Sequence, residues 1–206
     1  MTRPVRILGI SGSLRRQSYN TALLRAAKAL AGKDVELDVI TLHGIPLYNG
    51  DVETGTGIPQ AVVELKLRIL NADGLLFATP EYNNGIPGVF KNAIDWLSRP
   101  AEGITALFAD RPVAVFGASL GPYGTMTAQN AWLPVLRTLG SRQWAGGKLM
   151  LPRADHAFNE SGELVDESAR MQVRNFVAGY ARYVRGVGHV ADYLGDHEAA
   201  HATRVA

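Results

Sequence analysis

Cysteine is absent from the 206-residue chain. Its absence removes disulfides, thiolate nucleophiles, iron–sulfur ligation and dithiol redox chemistry together, so any electrons the protein handles need a borrowed cofactor. Long apolar runs are missing as well. Nothing approaches the roughly 18 residues that a membrane-spanning helix requires, and the first residues lead into a strand-like segment instead of a signal-peptide core. A cytoplasmic protein with no membrane partner is expected. Nor does one charge dominate: 21 Lys and Arg against 19 Asp and Glu leave a net +2. The basic residues are dispersed, with no run of the kind that grips nucleic acid. The sequence pI near 9.0 suits anionic small molecules and names no polymer.

What is present points to one α/β unit. Hydrophobic residues make up 47% of the chain, enough at this length for one well-buried core, and no repeat or linker divides it. A single domain is expected over residues 1–188, followed by a polar, Ala- and His-rich tail over 189–206 that frays. Apolar, β-branched stretches at 5–10, 35–41, 75–79, 113–118 and, more weakly, 148–151 each end in a turn-rich loop. Between them, helical spacing groups Leu23 with Ala27 and Leu30, Val62 with Leu65 and Ile69, and Phe90 with Ala93, Ile94 and Leu97. Val173, Phe176, Val177, Tyr180 and Val184 predict an amphipathic helix over about 166–187. The fourth helix is ambiguous at Pro134, which either sits in a first turn beginning near Ala131 or marks a kink; the first reading is preferred.

Short, continuously apolar strands alternating with helices imply an α/β sandwich, a five-stranded parallel sheet covered on both faces. With the order 2-1-3-4-5, a ligand crevice opens beyond the carboxyl ends of the strands, between the first and the third. The loops after strands one, three and four therefore carry the function. The first, over 11–20, is rich in hydroxyls and runs into a helix N-terminus, where free amides and the macrodipole favour an anion. It is neither a GxxxxGK[ST] loop nor a GxGxxG fingerprint, which disfavours nucleotide hydrolysis and Rossmann-type binding. The competing reading is that Ser18 or Asn20 merely caps the helix. The second loop, over 79–88, holds two prolines and two glycines, so its amides can form a rigid shelf for a flat ring, with Tyr82 adding a face. Asn92, Asp95 and Trp96 beyond it read more readily as core and turn. The third, over 119–125, supplies an opposing wall.

Two of these segments resemble the NADPH-dependent FMN reductase family, which includes bacterial quinone and chromate reductases and related azoreductases. GSLRRQSYN at 12–20 matches GSLRxxSxN, and PEYNNGIPGVFKNAIDWLSR at 80–99 matches PEYNxxxPxxLKNAIDWxSR. The resemblance spans about residues 5–187 and implies a flavodoxin-like fold, bound FMN and NADPH or NADH as co-substrate. It implies that Ser11, Ser13, Arg15, Ser18 and Asn20, with Leu14 in the same loop, surround the FMN phosphate. Pro80, Glu81, Tyr82 and Asn83, continued by Asn84 and Gly85, would line the isoalloxazine, and Ser119 would close the ring. Many relatives carry two adjacent glycines where this chain has Gly124 and Thr125. The implied activity passes two electrons, by ping-pong kinetics, to a small acceptor such as a quinone, flavin, azo compound or chromate. A homodimer or homotetramer is implied as well.

The main alternative is a flavodoxin-type electron carrier without turnover of its own, although such carriers are strongly acidic and this chain is not. A flavin-free module binding another phosphorylated ligand is a second. His197, Glu198 and His201 spell HExxH, but with no further ligand downstream the match reads as accidental and no metal is expected. Asn159-Glu160-Ser161 matches a glycosylation acceptor that a chain without a secretory signal leaves unmodified. No isolated arginine can be assigned to a nicotinamide 2′-phosphate.

Overall fold

The computed structural model describes residues 3–205, with side-chain surroundings through Val187. In chain order the elements are β1 (Val5–Ser11), α1 (Tyr19–Leu30), β2 (Val35–Thr41), α2 (Gly50–Thr56), α3 (Gln60–Leu70), β3 (Gly74–Ala78) and α4 (Gly88–Leu97). There follow α5 (Ile104–Phe108), β4 (Pro112–Ala118), α6 (Met126–Thr138), β5 (Arg142–Gln143), β6 (Met150–Leu151), α7 (Ala154–Ala157) and α8 (Glu167–Val205). The strands run parallel in the order β2-β1-β3-β4-β5, the flavodoxin-like order.

Strand periodicity splits the core into two layers. Ile7, Leu76, Ala114 and Phe116 pack toward α1 and α8. Leu8, Ile10, Leu75, Phe77 and Val113 pack toward α3, α4 and α6. Both faces being covered, the strands are continuous apolar runs, which is why they stand out in the sequence. Tyr180 of α8 is fully buried under the sheet. Its hydroxyl reaches the Leu75 and Pro112 carbonyls at 2.7 and 2.8 Å, and burial, the largest influence, raises its pKa well above that of an ordinary phenol.

The fifth strand differs from expectation. The position beside β4 is filled by two short pieces: β5 pairs with Pro112 and Val113, and β6 pairs with Gly117 and Ala118. Between them the chain leaves the sheet so that the Trp144 ring can pack against Phe176 at 4.9 Å and Tyr180 at 5.5 Å. Gly146, Gly147 and Gly179 make the slot, since a Cβ on any of them would press into that ring.

Two helices also differ. The preferred reading of a start near Ala131 is overturned, because α6 begins at Met126 and carries Pro134 inside it. The early start has a long-range cause: the Ala128 amide donates to the Glu81 carboxylate at 2.9 Å, so a side chain from another loop caps the helix. Pro134 lies on the exposed face, where water can serve the carbonyl that its missing N–H leaves unpaired. The last helix starts as expected, with the Ala169 amide donating to Asp166 at 2.7 Å, but its backbone continues past Val187 to Val205. The glycines at 186, 188 and 195 cost a helix only about 1 kcal/mol each. The HExxH segment lies outside the residues whose side chains are described.

Candidate functional site

β1, β3 and β4 end on the same rim. Ser11 is in register with Ala78, the Gly12 amide donates to the Ala78 carbonyl at 2.9 Å, and the Thr79 amide donates to Phe116 at 2.9 Å. The loops that follow are thus delivered side by side, and a cleft of about 460 Å³ opens between them, within the roughly 300–1,000 Å³ of small-molecule sites. A glycine is required at position 12, because a Cβ there would enter the Phe90 ring and touch Pro80.

The first wall is the segment leading into α1. Ser18 is its N-cap, accepting from the Thr21 amide at 3.3 Å. The amides of Tyr19 and Asn20 meet no acceptor in the chain among the described residues, which leaves the positive end of the helix open toward the cleft. Ser13 is buried, yet lines the cleft. Its hydroxyl oxygen accepts from the Arg15 amide at 3.2 Å, so its own proton is available to an anion. Arg15 and Ser18 also line the cleft.

The second wall is a tight hairpin. Tyr82 and Gly85 exchange both backbone hydrogen bonds, at 3.3 and 3.0 Å. The two residues between them, Asn83 and Asn84, take φ of 49° and 59°. Positive φ at both central positions is the type I′ pattern, which asparagine tolerates better than any residue but glycine. The tight backbone expected from glycine is therefore supplied by the asparagines. Pro80, Glu81, Tyr82 and Asn84 face the cleft.

The third wall runs from Ser119 to Gly124. Ser119 closes it on itself, donating to the Gly124 carbonyl at 2.6 Å, and Ala154 anchors it from outside, its amide reaching the Ser119 carbonyl at 3.0 Å. Gly124 has φ +62°, and a Cβ there would meet the Met150 backbone. Leu120 and Tyr123 are 59% and 73% exposed and give this wall an apolar rim.

Of the residues singled out by sequence, Ser13, Arg15, Ser18, Asn20, Pro80, Glu81, Tyr82, Asn84 and Ser119 meet in this cleft. Ser11, Leu14, Asn83 and Gly85 do not line it. Ser11 is fully buried behind its loop, sharing a 2.7 Å hydrogen bond with the Thr21 hydroxyl. Asn20 has its amide group engaged with Ala118, and Glu81 has a carboxylate oxygen engaged with α6. Asn92 and Trp96 have structural partners, both donating to the Pro46 carbonyl at 2.8 and 2.9 Å, while Asp95 pairs with Lys91 at 2.6 Å. Tyr19, Leu120, Pro122 and Tyr123 join the lining without having been singled out. For the last three, the signal was an aromatic and a leucine set among glycine and proline at a strand end.

The cleft has an anion-favouring end, made of amides, hydroxyls and a guanidinium, and an aromatic, backbone-rich end. Among the described residues no three metal-binding side chains come together, and no helix is long and apolar enough to cross a membrane.

Residues 5–156 match the family described as NADPH-dependent FMN reductase. The NAD(P)H-dependent FMN reductase of Pseudomonas aeruginosa is 41% identical over 185 residues, 90% of this chain and 98% of that protein. A 2-hydroxy-1,4-benzoquinone reductase from a Burkholderia species is 35% identical over 181 residues, covering 88% of this chain and 97% of the relative. Among solved structures, the flavoenzyme NAD(P)H:(acceptor) oxidoreductase of Paracoccus denitrificans superposes with a TM-score of 0.78 at 30% identity, over 88% of this chain and 98% of that one. With a family match over most of its length and full-length relatives above 30% identity, the chain belongs to the NADPH-dependent FMN reductase family.

Proposed function

We propose that this cleft holds FMN and that the protein carries two electrons from NADPH or NADH to a small acceptor of the quinone type. The carrying observation is that an anion-favouring helix start and an aromatic hairpin occupy one cleft on the carboxyl rim of the sheet. The donor set fits the cofactor. Ser13 and Ser18 hydroxyls, the Tyr19 and Asn20 amides and the Arg15 guanidinium match a phosphate in number and charge. Among the described residues that line the cleft, Glu81 is the one carboxylate, and one of its oxygens is tied to α6.

Bound FMN supplies the two-electron chemistry, and the protein supplies position and polarity. Tyr82 and Pro80 form the side of the cleft that fits a flat ring. The Gly85 amide is consumed inside its own turn, so of this turn the backbone donor left at the cleft to polarise a ring edge is that of Asn84. Glu81, by capping α6, holds the second wall against the third. Nicotinamide and acceptor would use the same cleft in turn, which predicts ping-pong kinetics. Leu120 and Tyr123 give a second copy of the chain an apolar rim to cover, so a dimer or tetramer belongs to this reading, as does a cytoplasmic location.

The test is a visible absorption spectrum after reconstitution with FMN, followed by anaerobic addition of each nicotinamide and then of benzoquinone. The expected result is retained flavin, bleaching by the nicotinamide and recovery of colour with the quinone. Colourless protein after reconstitution would overturn the reading. Flavin that no nicotinamide bleaches would favour an electron carrier.

A further inference from the structure

We propose that His43, which no motif marks, is a positioning residue for the phosphate end of the cleft, acting on Ser13 through the backbone of Leu14. This rests on the flavin reading above. The His43 Nε2 lies 3.1 Å from the Leu14 carbonyl oxygen, and its Nδ1 lies 2.9 Å from the Thr41 hydroxyl. A carbonyl only accepts, so Nε2 carries a hydrogen and donates it; in the neutral ring Nδ1 then accepts from Thr41. Both polar atoms of the ring are used, and the ring spans from the end of β2 to the loop before α1.

The Leu14 carbonyl belongs to the same planar peptide as the Arg15 N–H, and in a trans peptide the two point in opposite directions. Holding the carbonyl toward His43 therefore aims the Arg15 N–H the other way, and there it meets the Ser13 hydroxyl oxygen at 3.2 Å. That oxygen is buried in the cleft. Once it accepts from Arg15, its proton is directed to an anion. The relay runs from Thr41 to His43, through the Leu14–Arg15 peptide, to Ser13.

The platform behind His43 is firm. Leu42 is buried in the core, and Gly44 turns the chain with φ +81°. Beyond it, Pro46 receives hydrogen bonds from Asn92 and Trp96, and the Tyr48 amide donates to Asn92 at 2.8 Å. Leu14 is itself 40% exposed and its side chain does not line the cleft, so its carbonyl is the part of it that the relay uses.

The test measures FMN dissociation constants by fluorescence quenching for the full chain and its variants, with thermal unfolding of the apoprotein as a check on folding. His43→Ala is expected to weaken FMN roughly three- to tenfold, the worth of one oriented hydrogen bond. His43→Gln keeps an N–H donor near Nε2 and is expected to restore most of that loss. In a Ser13→Ala background, His43→Ala is expected to change FMN affinity less than twofold. Unchanged affinity in His43→Ala, or a full effect without Ser13, would overturn the proposal. Should His43→Ala fail to fold, Thr41→Val removes the far end of the relay, and its losses must likewise vanish without Ser13. A wild-type chain that takes up no FMN would sink the flavin reading and the relay together, whereas tight wild-type binding with an indifferent His43 sinks the relay alone.

Discussion

Asn20 and Ala118 are joined in both directions. The Asn20 Nδ2 donates to the Ala118 carbonyl at 2.8 Å, and the Ala118 amide donates to the Asn20 Oδ1 at 2.9 Å. An amide side chain is the shortest group that can do both, and here it copies a strand partner for the last residue of β4. It also fixes the start of α1 against the third wall. Asn20→Ala leaves a buried N–H and a buried C=O without partners, each worth about 1–3 kcal/mol. The variant is expected to lose about 2–4 kcal/mol in urea unfolding and to bind FMN more weakly, because two walls of the cleft lose their common tie. Asn20→Asp keeps the acceptor but sets a carboxylate against a carbonyl, so it is expected to rescue little.

The same residue shows how far a sequence can be read. The four long strands stand out because strands covered on both sides are apolar throughout, and the rim follows from their order. The family resemblance implies a place for Asn20 beside the phosphate; that its side-chain amide also serves a residue 98 positions away depends on tertiary contact. Ser11 was more tractable. A period of two places it with Ile7 and Gly9 on the face that α1 covers, and its hydroxyl meets Thr21 of α1. The start of α6 was illegible, because its cap is a carboxylate from another loop. The fifth strand was illegible because each piece is two residues long, too short for any pattern.

The hairpin at Asn83 and Asn84 separates shape from chemistry. Both residues have positive φ, and a β-branched side chain in that region costs roughly 1–2 kcal/mol. Asn84→Gly is expected to fold as well as the wild type, and Asn84→Val to be destabilised by about that amount. The valine variant should also release FMN faster, since opening the turn moves Tyr82. Denaturant unfolding and flavin release by gel filtration check the two halves.

Ser13 and Tyr82 test opposite ends of the cleft. Ser13→Ala removes a donor to a charged group, and Tyr82→Ala removes an aromatic face; each is expected to raise the FMN dissociation constant by roughly tenfold. Their turnover should differ. Saturating FMN is expected to restore the NADPH–quinone rate of Ser13→Ala, whose loss lies in retention. Tyr82→Ala is expected to keep an altered rate even when saturated, because it borders the space where ring, nicotinamide and acceptor meet.

Asp73 supplies a pH dependence remote from the cleft. Its carboxylate receives two hydrogen bonds from Arg3, at 2.7 and 2.8 Å, and one from the Arg6 amide at 2.8 Å. Burial, the largest single influence, would raise its pKa, but these bonds together outweigh it and hold the group below the ordinary value of 3.8. A carboxyl group depressed on folding stabilises the native state wherever it is ionised in both states, hence above about 3.8. That contribution is lost as pH falls through the native value, where the folded protein must also take up the proton. Asp73→Asn is therefore expected to be less stable than the wild type at pH 7, by about 0.5–1 kcal/mol, since Arg3 is largely exposed and solvent screens the pair. The gap should be unchanged at pH 5, narrow below about 3.8 and close at lower pH. Paired urea titrations at several pH values measure it, and a gap that widened on acidification would mean that burial, not the arginine bonds, governs this carboxylate.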